Sequence, residues 1–143
     1  MGTDKVAGKV YAVLDSNALL QIYRGVGLFE QIEESLDVKP IYVCPDAVLK
    51  ELEDIESRGG ELSRAARLAL EVATGICSEL KTGEKSGDNS VIKAALELQE
   101  EGSKVLVVTS DRELRKRLRT LGIKTVYYRE SQHRFEVEVK DVL

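Results

Sequence analysis

Two aspartates follow apolar runs in this chain of 143 residues. Asp15 comes directly after Val10-Tyr-Ala-Val-Leu14, and Asp111 comes after Val105-Leu-Val-Val108 and the polar pair Thr109-Ser110. Both runs read as buried strands, and in open α/β sheets the carboxyl ends of strands line the crevice where ligands sit. Two carboxylates brought to that edge repel unless positive charge lies between them, so the chemistry they suit is that of a divalent cation. Two more acids stand where helices can aim them at the same crevice. Glu51 borders the apolar stripe of Val48 and Leu52, and Asp88 opens a helix directly after Ser86-Gly87. Each also has a plain structural reading: Asp15, Asp88 and Asp111 as helix N-caps, Glu51 as a solvated neighbour of Glu53 and Glu56.

Oxygen-only donors suit Mg²⁺ or Mn²⁺ better than zinc, which prefers nitrogen and sulfur. His133 is the only histidine and falls in a polar turn, where a surface role is expected. Cys44 and Cys77 show neither metal-ligand nor redox spacing and read as small apolar core residues in a reducing compartment. No Ser/His or Cys/His constellation for a covalent mechanism is present.

The elements that must position these acids alternate along the chain. Strands are expected at about 9–14, 41–44, 104–108 and 123–127, with an alternating edge strand at 135–139. Helical spacing covers 17–23, a stretch around Leu28, Ile32 and Leu36, and then a helix opened by Pro45 with Val48, Leu49, Leu52 and Ile55 on one stripe. A longer helix is expected over 61–80 on Leu62, Ala66, Leu70, Ala73 and Cys77, and another over 88–101 on Val91, Ile92, Ala95 and Leu98. The last, after Asp111, carries Leu114, Leu118 and Leu121 and stops at Gly122. Residues 81–87 read as an exposed loop. The order implies one domain over 1–143, a three-layer α/β/α sandwich around a mostly parallel sheet.

With those motifs in that order, Val13-Leu14-Asp15-Ser16-Asn17, Val48-Leu49-Lys50-Glu51-Leu52, Gly87-Asp88-Asn89-Ser90-Val91 and Val108-Thr109-Ser110-Asp111-Arg112-Glu113-Leu114, the chain resembles the PIN-domain nucleases over about residues 9–128. The resemblance implies metal-dependent cleavage of phosphodiester bonds, usually of RNA, by acids gathered around Mg²⁺ or Mn²⁺. It implies Asp15, Asp88 and Asp111 as direct or water-bridged metal ligands, and Glu51 as a ligand or the group that orients the attacking water. Asn17 and Thr109 fall where the family has auxiliary polar residues. Ser110 and Asn89 leave fewer acids than the family's richest sites. The toxin of a toxin–antitoxin pair, which would add a small antitoxin-like protein as partner, and an RNA-processing nuclease both stay open. Relatives often pair as homodimers.

Composition sets the remaining limits. The net charge of −4 excludes a polyanion binder acting through its whole surface, so any RNA surface must be local. The candidate is the face of Arg112, Arg115, Lys116 and Arg119 on the helix after Asp111; a merely solvated face is the alternative. No apolar run reaches membrane-spanning length and the N-terminus lacks a signal-peptide pattern, which points to the cytoplasm and to no membrane partner. Two rivals share the acids: a non-catalytic PIN-fold module that binds RNA or protein, and a phosphoryl-transfer enzyme of the haloacid-dehalogenase type using Asp15. The second would want an aspartate where Asn17 stands.

Overall fold

The computed structural model describes residues 9–132 and 134–137. His133 and the expected continuation of the last strand to Val139 lie outside the described residues. The chain runs through β1 (Val10–Leu14), α1 (Ser16–Leu20), a 3-10 turn (Gln21–Arg24), α2 (Leu28–Leu36), β2 (Ile41–Pro45), α3 (Asp46–Ser57), α4 (Glu61–Ile76) and β3 (Ser78–Leu80). It continues through α5 (Gly87–Glu100), β4 (Lys104–Val108), α6 (Arg112–Thr120), β5 (Lys124–Arg129), a second 3-10 turn (Glu130–Gln132) and β6 (Arg134–Val137).

The sheet order is β3-β2-β1-β4-β5-β6. Among the described residues five strands are parallel, and only β6 runs antiparallel, against β5. From β1 the chain steps to one edge through β2 and β3, then returns to the other side through β4, β5 and β6. Right-handed crossovers in opposite directions put their helices on opposite faces, which produces three layers. They also create a switch point between β1 and β4, the pair whose register runs from Val10↔Lys104 to Leu14↔Val108. The crevice beyond their carboxyl ends is where such sheets place ligands. Ala12, Val13, Leu14, Val107 and Val108 are fully buried, as strands covered on both faces require.

Several expectations shift. The helix foreseen over 61–80 stops at Ile76, with Cys77 extended at its end and β3 added parallel to β2. A three-residue edge strand with exposed Ser78 and Glu79 has too little apolar pattern to register in the sequence. The buried stripe of α4 is Ala65, Ala66, Ala69 and Ala73, small residues that bring it close to its neighbours, while Leu62 is 60% exposed. Pro45 ends β2 and caps α3, whose first residue is Asp46. Leu121 lies past the last turn of α6 and is exposed. There Gly122, at φ 77, and Ile123 close the helix by donating to the Arg119 and Leu118 carbonyls. Cys44 is buried, and its thiol is hydrogen-bonded to that of Cys77, which holds it above the ordinary thiol range.

The loop at 81–86 is pinned. Thr82 is buried, and its hydroxyl donates to Asp46 Oδ1 at 2.7 Å while Gly83 N–H donates to Oδ2 at 3.1 Å. Lys93 Nζ donates to the Thr82 carbonyl at 2.7 Å. Burial pushes the Asp46 carboxyl up, but these bonds and the Ala47 N–H outweigh it and pull it down to about 2. This strut ties the start of α3, which carries Glu51, to the approach of α5, which carries Asp88.

Candidate functional site

Asp15 stands where β1 ends and α1 begins. Its N–H donates to the Val108 carbonyl at 3.1 Å, extending the β1–β4 ladder by one bond. Its side chain turns back to accept from Ser16 N–H at 2.8 Å through Oδ1 and from the Thr109 hydroxyl at 2.7 Å through Oδ2. Thr109 Oγ1 in turn accepts from the Asp111 N–H at 3.1 Å. Asp111 caps α6, its Oδ1 accepting from Leu114 N–H at 3.0 Å. One threonine therefore joins the two strand-end aspartates. Burial raises the Asp15 carboxyl to about 6; the Thr109 and Ser16 bonds oppose the rise, and the charges of Asp88 and Glu51 add to it.

The other side of the crevice is reached through Ser16. Its hydroxyl donates to Glu51 Oε1 at 2.8 Å, so α1 and α3 meet at the carboxylate. Glu51 also lies against Gly87: a β-carbon added there would fall 2.9 Å from Oε1. Asp88 follows in the first turn of α5 and is not its cap. Ser86 takes that place, its Oγ accepting from Asn89 N–H at 3.0 Å. Burial and the Asp111 charge raise the Asp88 carboxyl, Arg117 opposes the rise, and Glu51 adds to it. Charge effects link the acids in pairs, Asp15 with Asp88 and Glu51, and Asp88 with Asp111 and Glu51.

The auxiliary and basic residues divide. Thr109 is fully buried against Asp15. Asn17 instead lines a groove between the first 3-10 turn and α4, and its Oδ1 is a buried oxygen without a hydrogen-bond partner among the described residues. Arg112, Lys116 and Arg119 are exposed on α6. Arg115 packs its guanidinium 3.9 Å over the Tyr127 ring and is partly withdrawn from that face. Arg117 acts on the acids through its charge at Asp88, and its Nη2 donates to Asn89 Oδ1 at 3.1 Å. Helical spacing had set it apart from the basic face. Ser16 was also passed over, although a small hydroxyl beside a strand-end acid is the available signal.

Do these residues fit a divalent cation? The donors are all oxygen, and the charges of Asp15, Glu51, Asp88 and Asp111 press on one another. Among the described residues no three His, Cys, Asp or Glu side chains converge on one point as a ready-made cage. It is the donor chemistry, oxygen alone, that fits Mg²⁺ or Mn²⁺.

The family model described as a PIN like domain matches residues 12–131. The structure titled "Structure of the PIN domain endonuclease Utp24" superposes with a TM-score of 0.70 at 26% identity, covering 90% of each chain. No curated protein matched the sequence.

Proposed function

The chain belongs to the PIN-like domain family, and we propose that it is a ribonuclease that hydrolyses phosphodiester bonds with Mg²⁺ or Mn²⁺, cutting internally. The observation that carries this is the run of contacts from Asp111 through Thr109, Asp15 and Ser16 to Glu51, with Gly87 against its end and Asp88 next in the chain. The endonuclease named in the matched structure supports internal cutting.

Asp15, Asp88 and Asp111 would hold the cation. When bound, it supplies Lewis acidity at the phosphoryl group and neutralises charge on the leaving oxygen. Thr109 fixes the orientation of Asp15, and Ser16 fixes that of Glu51. Glu51 then orients a water for in-line attack and accepts its proton, as a new P–O bond forms and the bond to the leaving oxygen breaks. Arg117 compensates part of the negative charge at Asp88.

Thermal unfolding with and without Mn²⁺, run beside cleavage of a labelled RNA, tests the reading. Metal-linked stabilisation together with metal-dependent cutting supports it. Neither effect would make the crevice that of a binding-only module.

A further inference from the structure

We propose that Cys44 and Cys77 are an oxidation site, a thiol pair that hydrogen peroxide converts to a disulfide within one chain, whether or not the protein cuts RNA. Distance along the chain hides the pair, and the sheet brings it together. Cys44 lies in β2 and is the register partner of Glu79 in β3. Cys77 is extended, at φ −93 and ψ 146, so its side chain leaves the sheet on the same side as that of Glu79, two residues on, and therefore of Cys44. Its N–H donates to the Ala73 carbonyl at 2.8 Å, which fixes the backbone there. The two thiols hydrogen-bond each other and share a cavity of about 200 Å³ with Leu49, Ala73, Thr74 and Glu79. Thr74 gives its hydroxyl to the Leu70 carbonyl at 2.8 Å instead of to either sulfur.

The two sulfurs differ in access. Cys44 is fully buried and Cys77 half-buried, so a reagent meets Cys77 first. The bond with Cys77, together with burial, holds the Cys44 thiol above the ordinary range, a second reason for Cys77 to react first. The Glu79 carboxylate in the same cavity favours a small neutral oxidant over an anionic one. The Cys77 thiolate attacks one peroxide oxygen, the O–O bond breaks, and hydroxide leaves and takes up the thiol's proton as water. The sulfenic acid so formed lies against Cys44. Cys44 attacks the Cys77 sulfur, the S–O bond breaks, and a second water departs with the Cys44 proton. Two thiols and one peroxide give one disulfide and two waters. The bond closes a loop that holds α3, with Glu51, and all of α4, which restricts the unfolded chain and stabilises the fold.

The test treats the folded protein with hydrogen peroxide, alkylates the remaining thiols and maps peptides without reduction. A linked Cys44–Cys77 peptide should appear, two hydrogens lighter than the reduced pair, and dithiothreitol should abolish it. Oxidation should raise the urea midpoint by about 1–2 M and should not move it in Cys44→Ala or Cys77→Ser. In Cys44→Ala the sulfenic acid has no partner, so dimedone should label Cys77 far more than in the wild type. Three results each overturn the site: Cys77 carried to the sulfinic acid while Cys44 still alkylates, a disulfide between two chains on a non-reducing gel, or both thiols intact at a peroxide dose that oxidises free cysteine. If Cys44→Ala does not fold, the wild-type peptide map and urea midpoint decide the matter alone.

Discussion

Asp15→Asn should stabilise the metal-free protein at neutral pH while abolishing cleavage, and the size of the effect follows from the burial of that carboxyl. Its ionisation shifts from 3.8 to about 6 on folding, so the ionised form costs about 3 kcal/mol above pH 7. The pKa is raised in the folded state. The favourable contribution is therefore complete below about pH 3.8 and is lost as pH rises through about 6. Asparagine removes that charge but keeps only one acceptor. Its oxygen retains the Ser16 N–H, while its amide faces the Thr109 hydroxyl, which must rotate and find another acceptor at a cost of about 1 kcal/mol. The variant should gain about 2 kcal/mol at pH 8 and become the less stable form below roughly pH 4.5. Urea unfolding of both proteins in chelator between pH 4 and pH 8 reads the difference directly. Saturating Mn²⁺ at about a hundred times its dissociation constant should add about 2.7 kcal/mol to the wild type, and far less to the variant. A stability difference that stays flat across that pH range would refute the burial argument.

Asp111→Asn keeps a good N-cap for α6, so cleavage should vanish with a melting temperature close to wild type; a large drop in stability would show that the carboxylate is structural. Gly87→Ala presses a methyl against Glu51 Oε1, 2.9 Å away. The flexible carboxylate can swing aside, so stability should hold within about 1 kcal/mol while turnover falls, and wild-type turnover would remove Glu51 from the reaction. Thr82→Val deletes the hydroxyl bonded to Asp46 and should cost about 1–2 kcal/mol in urea unfolding. The Asp46 carboxyl is depressed, so its contribution is present above about pH 3.8 and lost as pH falls towards 2. The variant's acid limb should therefore be shallower, and an unchanged limb would dismiss the strut.

The acids were legible because two simple rules act on them together. A buried parallel strand writes itself as a continuous apolar run, and the residue that ends it must face the crevice. Periodicity also exposes Glu51 at the rim of its stripe. What it does not supply is the identity of the neighbour. Ser16 and Arg117 gain their roles from side chains 35 and 28 residues distant. Leu62 and Leu121 fit a stripe by spacing, yet both stand exposed, because no facing element among the described residues covers them. Asn17 shares the turn that holds Asp15 but faces another groove. The cap of α5 shows a different failure: Ser86 and Asp88 are both good capping residues, and only the backbone decides that Ser86 takes the place.

Capping and catalysis are not competing explanations for the aspartates at 15 and 111. A carboxylate has about four lone-pair sites, and a cap uses one of them, at Oδ1 in both cases. The bond fixes the side chain's rotamer, so the lone pairs left over point in a direction set by the helix. Those helix starts also carry partial positive charge, as does the start of α5 beside Glu51 and Asp88. Each is worth a few tenths of a kcal/mol to about 1 kcal/mol to a neighbouring anion, less for the short α1. Helix starts converging on one crevice let a group of acids persist beside one another before any cation arrives. The help is incomplete at Asp15, whose carboxyl still rises to about 6 against the bonds it accepts. That residual cost is what a bound dication would relieve, which makes Asp15 the residue at which folding stability and metal affinity should change in opposite directions.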